Sequence, residues 1–168
     1  FPDFDADREA VLERARHAGV QHLVHVGTDP VANTLPQALA SRHTGMVHTA
    51  GWHPHSSHEG DYTAAIETFV RLTKPAAIGE VGLDYFKSEA DAATQQKAFG
   101  SMLDLAARTK LPVIVHSRNA FDDTHAMLKE ASKRGVRGVM HCFSYDEAAK
   151  KKMAKLRIFI SITRNNKL

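Results

Sequence analysis

The chain has 168 residues, of which 43% are hydrophobic and 24% are charged, and its formal net charge is +3 with a pI near 9.1. These values are ordinary for a globular protein, and the single cysteine, Cys142, excludes a framework of internal disulfides. No apolar run approaches the length that a bilayer requires, and the N-terminus is acidic rather than signal-like. We therefore expect a cytoplasmic protein with no membrane partner. Eleven histidines is a high count, and it is the one compositional hint of function.

Predicted helices and strands alternate along the whole chain, which we interpret as a single domain over residues 1–168. Short apolar runs indicate strands, and apolar residues at three- and four-residue steps indicate helices. The six predicted strands are 21–28, 47–54, a run that leads into Glu80, 112–116, 138–143 and 157–162. The six predicted helices include 34–42, 91–109 and 146–156. Such alternation predicts a mostly parallel sheet covered by helices.

Three of the predicted strands lead into side chains that can bind a metal ion. Glu80 comes where the apolar run 76–78 opens into a glycine-rich stretch, while His116 and His141 stand at the ends of the next two strands. A lone buried carboxylate is costly unless it is paired or bound to a metal. We therefore predict that Glu80, His116 and His141 converge on a divalent ion; these ligand types do not choose among zinc, manganese and magnesium.

Residues with a chemical role at several strand ends are typical of the TIM-type (β/α)8 barrel, whose sites gather at the carboxyl-terminal face. A barrel of this type takes about 250 residues and eight strands. The fold class we predict is therefore α/β, an incomplete TIM-type barrel with about six of its eight units. If the pleat of strand 138–143 turns His141 into the barrel mouth, it turns Cys142 outward, and we predict Cys142 to be a small buried residue.

Four segments carry a resemblance to a known family. They are GWHPH at 51–55, IGEVGLDY at 78–85, LPVIVHSRNA at 111–120 and MHCFS at 140–144. In this order and spacing they resemble the TatD-like metal-dependent deoxyribonucleases, which are amidohydrolase-type barrels, over essentially the whole chain. The resemblance implies a hydrolase that cleaves the phosphodiester bonds of DNA with two divalent metal ions.

The resemblance also implies a role for each candidate residue. Glu80 resembles the carboxylate that bridges the two metals, and His116 and His141 resemble the imidazole ligands of the second. His53 resembles the histidine beside the scissile phosphate, although a His-Pro-His sequence can also simply shape a turn. Arg118 is well placed to contact a phosphate oxygen.

Three further expectations concern residues near these candidates. Arg118 has an alternative role, an ion pair with Asp122 or Asp123 on the following helix. We expect Asp84 to hold its own loop in place rather than to perform chemistry, and we expect the side chain of His55 to be solvated.

The family has two more segments that these 168 residues do not contain, an N-terminal strand with His-x-His and an aspartate at the last strand. The resemblance therefore implies that the first and last strands and half of the two-metal site are missing. We expect little activity from the chain by itself. Two other functions stay open: a metal-dependent hydrolase of an amide or ester bond, and a catalytically inactive fragment or binding module.

Overall fold

All six strands lie in one parallel sheet, in the order in which they occur along the chain. The computed structural model describes residues 4–163. The strands are β1 (Leu23–His25), β2 (Met46–Trp52), β3 (Ala77–Asp84), β4 (Val113–Arg118), β5 (Gly138–Met140) and β6 (Ile158–Ile160). A doubly wound sheet reverses its strand order at a switch point, whereas a barrel wall keeps consecutive strands adjacent. The sheet is therefore a half-barrel, which confirms the predicted incomplete TIM-type fold.

One helix precedes the first strand, and the others connect successive strands. The helices are α1 (Arg8–His17), α2 (Thr34–Ala40), α3 (Thr63–Thr73), α4 (Ala92–Thr109), α5 (Phe121–Ser132) and α6 (Glu147–Ala154), with a 3-10 turn at Pro54–Ser56. Asp91 and Asp146 begin α4 and α6, because each carboxylate accepts a hydrogen bond from a backbone N–H of the first turn, at 2.7 and 2.8 Å. No helix in residues 4–163 is long and apolar enough to cross a bilayer.

The hydrophobic core lies between the sheet and the helix layer. On α4, Phe99, Met102 and Leu103 recur at helical spacing, and all three are at most 2% exposed. They pack in one cluster with β3 residues such as Ile78 and Leu83, which are completely buried. Burial on this scale fixes the register of α4 against β3, and β3 carries the residues at the centre of the candidate site.

The two outermost strands are shorter than we predicted. In place of 21–28 and 157–162, β1 and β6 comprise three residues each, Leu23–His25 and Ile158–Ile160. Within residues 4–163, each has a neighbouring strand on one side only, β2 for β1 and β5 for β6. A strand with one partner extends only as far as that partner supplies hydrogen bonds, which a sequence pattern does not show.

Strand β3 is longer than we predicted, so Glu80 lies inside it rather than at its end. The strand continues to Asp84 through a register shift between Ile78 and Val81. Gly82 makes this continuation possible, because its φ is +143° and an added Cβ would lie 1.9 Å from the carbonyl oxygen of His116. The two strands can approach so closely only without a side chain there.

Our prediction for Cys142 is wrong, because β5 ends at Met140 and the pleat does not reach position 142. Cys142 adopts a φ of +50° and its side chain is exposed. Its backbone N–H donates to Ser161 Oγ at 3.1 Å. The turn after β5 thus breaks the alternation on which the prediction rested.

Both edges of the half-barrel carry apolar side chains exposed to solvent. Val24 in β1 is 54% exposed and Phe159 in β6 is 77% exposed. Open strand edges template pairing with other chains. We therefore expect the chain to self-associate in light scattering, and a Val24→Lys/Phe159→Lys variant to shift toward monomer because charged edges resist pairing. A monodisperse monomer of the unaltered chain would contradict this expectation.

Candidate metal centre

Three of the predicted site residues come together at the carboxyl-terminal edge of the sheet. His53 directly follows β2, Glu80 lies in β3 and His116 lies in β4. Each offers one ligand atom, these atoms lie within 4.8 Å of one another, and all three residues are half-buried. Ligands that share an ion with bonds of about 2.0–2.2 Å are spaced similarly. Of the residues the structure describes, this is the one such group of three or more possible ligands.

The backbone on which Glu80 stands is fixed by buried hydrogen bonds. The Glu80 N–H donates to the Gly27 carbonyl at 2.8 Å. The hydroxyl of Thr49 donates to the Gly79 carbonyl and accepts from the Gly27 N–H. Because Thr49 is fully buried, these bonds link β2, β3 and the loop after β1 away from water. The carboxylate is therefore presented by a rigid frame.

His116 lies between two carboxylates. Its Nδ1 is 3.2 Å from Glu80 Oε1, and its Nε2 is 2.9 Å from Asp84 Oδ2. Burial lowers the pKa of His116, but the hydrogen bonds and charges of Glu80 and Asp84 outweigh it, so the pKa is raised. For Glu80, burial raises the pKa, and the hydrogen bond from His116 and the charges of nearby imidazoles lower it below its ordinary value. Nδ1 of His116 therefore faces Glu80, and Nε2 faces Asp84.

Asp84 holds its own loop, as predicted, and it also orients the site. Its side chain is 1% exposed. Oδ1 accepts from the N–H groups of Phe86 and Lys87 at 2.9 and 2.8 Å, and Oδ2 accepts from Nε2 of His55 and of His116, both at 2.9 Å. Burial raises the pKa of Asp84, but these donors outweigh it and hold the pKa well below its usual range. The side chain of His55 is 44% exposed, so it is in contact with water as expected. Its hydrogen bond to Asp84 was not predicted from the sequence.

Gln95 on α4 secures Asp84 from behind, a role that sequence reasoning also missed. Its Oε1 accepts from the Asp84 N–H at 2.7 Å, and its Nε2 donates to the carbonyls of Asp84 and Ala90 at 3.1 and 2.8 Å. The residue is 1% exposed. A signal was present, because Gln95 is a polar residue four positions before Phe99, on the apolar face of the helix.

His53 is held as a neutral imidazole. Burial, followed by the charge of His116, lowers the pKa of His53 to about 4. Its Nδ1 accepts a hydrogen bond from the His55 N–H at 3.2 Å, and its ring centroid is 4.6 Å from that of His116. Because Nδ1 is an acceptor, the proton of the neutral ring is on Nε2. In this tautomer Nε2 is a hydrogen-bond donor at the site.

His141 lies outside this cluster. It follows the end of β5, its side chain is exposed, and its Nδ1 is 3.4 Å from Ser161 Oγ. Its charge still contributes to lowering the pKa of Glu80, so the two side chains interact electrostatically. Its assignment as a metal ligand stays a prediction.

Arg118 forms a contact that the sequence did not predict. Its guanidinium carbon is 4.2 Å from the centroid of the Phe86 ring. The described residues show no ion pair between Arg118 and Asp122 or Asp123; Asp123 instead accepts from the hydroxyl of Tyr85 at 2.8 Å. The guanidinium is therefore not neutralised by the carboxylates that follow it in the sequence.

The donor set of the cluster fits a divalent ion. The Glu80 carboxylate and Nδ1 of His116 are ligands that zinc and manganese accept, and two protein ligands leave coordination positions open. Nε2 of His53 carries a proton, so it donates a hydrogen bond at the site rather than binding the ion. The carboxylate of Asp84 on the far nitrogen of His116 is the arrangement that orients metal-binding histidines. The geometry therefore suits a metal centre open to a substrate rather than a closed structural site.

Comparisons with known proteins agree with this geometry. The profile of the family described as "TatD related DNase" matches residues 1–167. The chain is 36% identical over 162 residues to the "3'-5' ssDNA/RNA exonuclease TatD" of Klebsiella pneumoniae strain 342, covering 95% of this chain and 62% of that protein. It is 31% identical to the "metal-dependent hydrolase YabD" of Bacillus subtilis, covering 94% and 63%.

A solved structure shows the same architecture. The crystal structure of the TatD homolog YjjV from Escherichia coli K12 superposes with a TM-score of 0.88 at 30% identity, covering 95% of this chain and 63% of that one. The chain thus spans a little over three fifths of the length of the relatives it matches.

Proposed function

The chain belongs to the family of TatD-related DNases, and we propose that its cluster of His53, Glu80 and His116 is part of a metal-dependent site that hydrolyses phosphodiester bonds of DNA. The observation that carries the proposal is the convergence of these three side chains at the carboxyl-terminal edge of the sheet. The names of relatives, which include exonucleases on single-stranded DNA and RNA, support a nucleic-acid substrate. The single cysteine supports a cytoplasmic location.

In this proposal Glu80 and His116 hold a divalent ion, with His141 as a further ligand, and a complete site holds two ions. Bound divalent ions supply Lewis acidity toward a phosphoryl oxygen and lower the pKa of water. Magnesium, manganese and zinc all remain candidates.

The protein groups around the ion have separate tasks. Asp84 keeps the His116 ring in one orientation, so that Nδ1 faces Glu80. His53, neutral and protonated on Nε2, donates a hydrogen bond to a phosphate oxygen without adding a charge that would repel the metal. Arg118 is a donor to another phosphate of the same strand, and its fork of N–H groups matches the geometry of a phosphate.

We expect metal-dependent cleavage to be slow for this chain and to increase when the segments that lie outside the matched region of its relatives are supplied. The measurement compares digestion of a labelled single-stranded oligonucleotide by the chain and by a chimera, in which the outer segments of the Klebsiella relative flank residues 1–168. Cleavage by the chimera should require Mg²⁺ or Mn²⁺ and should stop on chelation, because the ions activate water and stabilise the leaving oxygen.

The chimera that carries Glu80→Gln separates this chain's site from any background activity. Undiminished cleavage in that variant, or cleavage in the presence of a chelator, would overturn the proposal. Cleavage of an amide or ester substrate in place of DNA would support the alternative hydrolase. Metal binding without turnover of any substrate would support an inactive binding module.

A further inference from the structure

We propose that Phe86 and Arg118 form a stacking subsite for a nucleobase, next to the phosphate that the metal centre receives. The inference rests on the proposed function and deepens it, because it assigns a binding role to an aromatic residue beyond the catalytic cluster. The ligand class is single-stranded nucleic acid, whose unpaired bases have free faces on which an aromatic ring can stack.

Phe86 is placed beside the metal centre by the same carboxylate that orients His116. Its N–H donates to Asp84 Oδ1 at 2.9 Å, and it lies two residues beyond the end of β3. The ring is nevertheless 56% exposed, so it is not held there by packing in the core. An exposed aromatic ring in a fixed position at the rim of a site is available to a ligand.

Arg118 lies on the neighbouring strand at the same height. Asp84 and Arg118 are register partners between β3 and β4, and the Tyr85 N–H donates to the Arg118 carbonyl at 3.0 Å. The guanidinium lies 4.2 Å from the centroid of the Phe86 ring. This contact covers part of the ring and restrains the guanidinium, which keeps its N–H groups for an anion.

The combination matches the chemistry of a nucleotide. An aromatic face accepts a base of any sequence, and an adjacent cation accepts the phosphate that follows it. Because Arg118 is two residues beyond His116 in β4, the phosphate held by Arg118 and the one held at the cluster belong to the same short stretch of strand. The subsite would therefore position a single strand for hydrolysis.

The test measures binding by fluorescence anisotropy in the presence of a chelator, so that no strand is cut. The probes are labelled oligothymidylate of about ten nucleotides and an abasic strand with the same number of phosphates. Phe86→Ala should weaken oligothymidylate binding about tenfold and leave abasic binding unchanged. Phe86→Trp should retain the preference for bases, while Arg118→Ala should weaken both probes, because both carry phosphates.

Leu72→Ala is the matched control, because Leu72 is an apolar residue of α3 that is 68% exposed, and it should leave both affinities unchanged. Equal losses on both probes in Phe86→Ala, or no preference for thymidylate in the unaltered chain, would overturn the subsite. Base-dependent binding through Phe86 without any metal-dependent cleavage by the chimera would retain the subsite and overturn the nuclease.

Discussion

Replacing Glu80 by glutamine should lower the affinity of the chain for Mn²⁺ or Zn²⁺ by at least about 100-fold, above the 10–100-fold typical of losing an outer-shell partner. The amide is uncharged and cannot match the carboxylate as a ligand. It also removes the anion that accepts from Nδ1 of His116. Isothermal titration of the metal-free chain measures the effect directly, without requiring turnover.

Glu130→Gln is the matched control for this measurement. Glu130 is an exposed residue of α5 that pairs with Lys133 at 2.7 Å. Its neutralisation removes one negative charge from the chain without touching the cluster, so metal affinity should stay within about twofold because salt screens distant exposed charges. If Glu80→Gln binds metal as tightly as Glu130→Gln does, Glu80 is not a ligand.

The second large effect should come from Asp84→Asn, which we expect to lower the free energy of unfolding by about 3 kcal/mol. This value is the low end of the range for removing one partner of a buried ion pair. The cost is not higher because the imidazoles of His55 and His116 are partly exposed, and water can solvate them when the carboxylate is lost. The single oxygen of asparagine can accept either from the backbone N–H groups of Phe86 and Lys87 or from the two imidazoles, but not from both pairs. Its NH₂ group would then face the other pair of donors, with which it cannot form hydrogen bonds. The same variant should also bind metal about 10–100-fold more weakly, since it releases the orientation of His116.

Urea denaturation of the metal-free chain measures the stability loss, with Asp104→Asn as the comparison. Asp104 pairs with Arg134 on the surface, where both side chains are about half exposed, so its loss should cost less than about 1 kcal/mol. Equal stability of the two variants would show that Asp84 does not carry the buried charge network described above.

The fold could be predicted from the sequence because helices and strands alternate along the chain and the strands lie in the sheet in the same order. The apolar run 113–115 and the helical spacing of Phe99 and Met102 mark side chains that are buried or half-buried in the structure, and this spacing is visible in the sequence itself. The lengths of β1 and β6 could not be predicted in the same way, because they depend on how many hydrogen bonds a single neighbour supplies. Cys142 was misplaced because β5 ends at Met140 and Cys142 itself adopts a positive φ in the turn that follows.

The sequence pointed to the residues that meet at the candidate site better than to the contacts that support them, although His141, predicted as a ligand, lies outside the cluster. Glu80, His116 and His53 stand beside apolar runs and in family motifs, and the structure brings them together. His55 and Gln95 were missed, because their roles come from contacts between residues 29 and 11 positions apart. For Arg118, the alternative of an ion pair with Asp122 or Asp123 came from sequence proximity, whereas in the fold its guanidinium contacts the ring of Phe86.

The hold of Gln95 on Asp84 also limits which insertions and deletions this part of the chain tolerates. One amide group bridges both backbone polar groups of Asp84 and the carbonyl of Ala90, so it spans the loop from the end of β3 to the start of α4. Because burial of its apolar face fixes the register of α4 against β3, a residue added or removed between positions 85 and 91 would have to be absorbed by the loop itself. The carbonyl of Ala90 would then move away from Nε2 of Gln95, and the cap that Asp91 supplies to α4 would be disturbed. The length of this loop is therefore coupled to the hydrogen bonds behind Asp84 and, through Asp84, to His116.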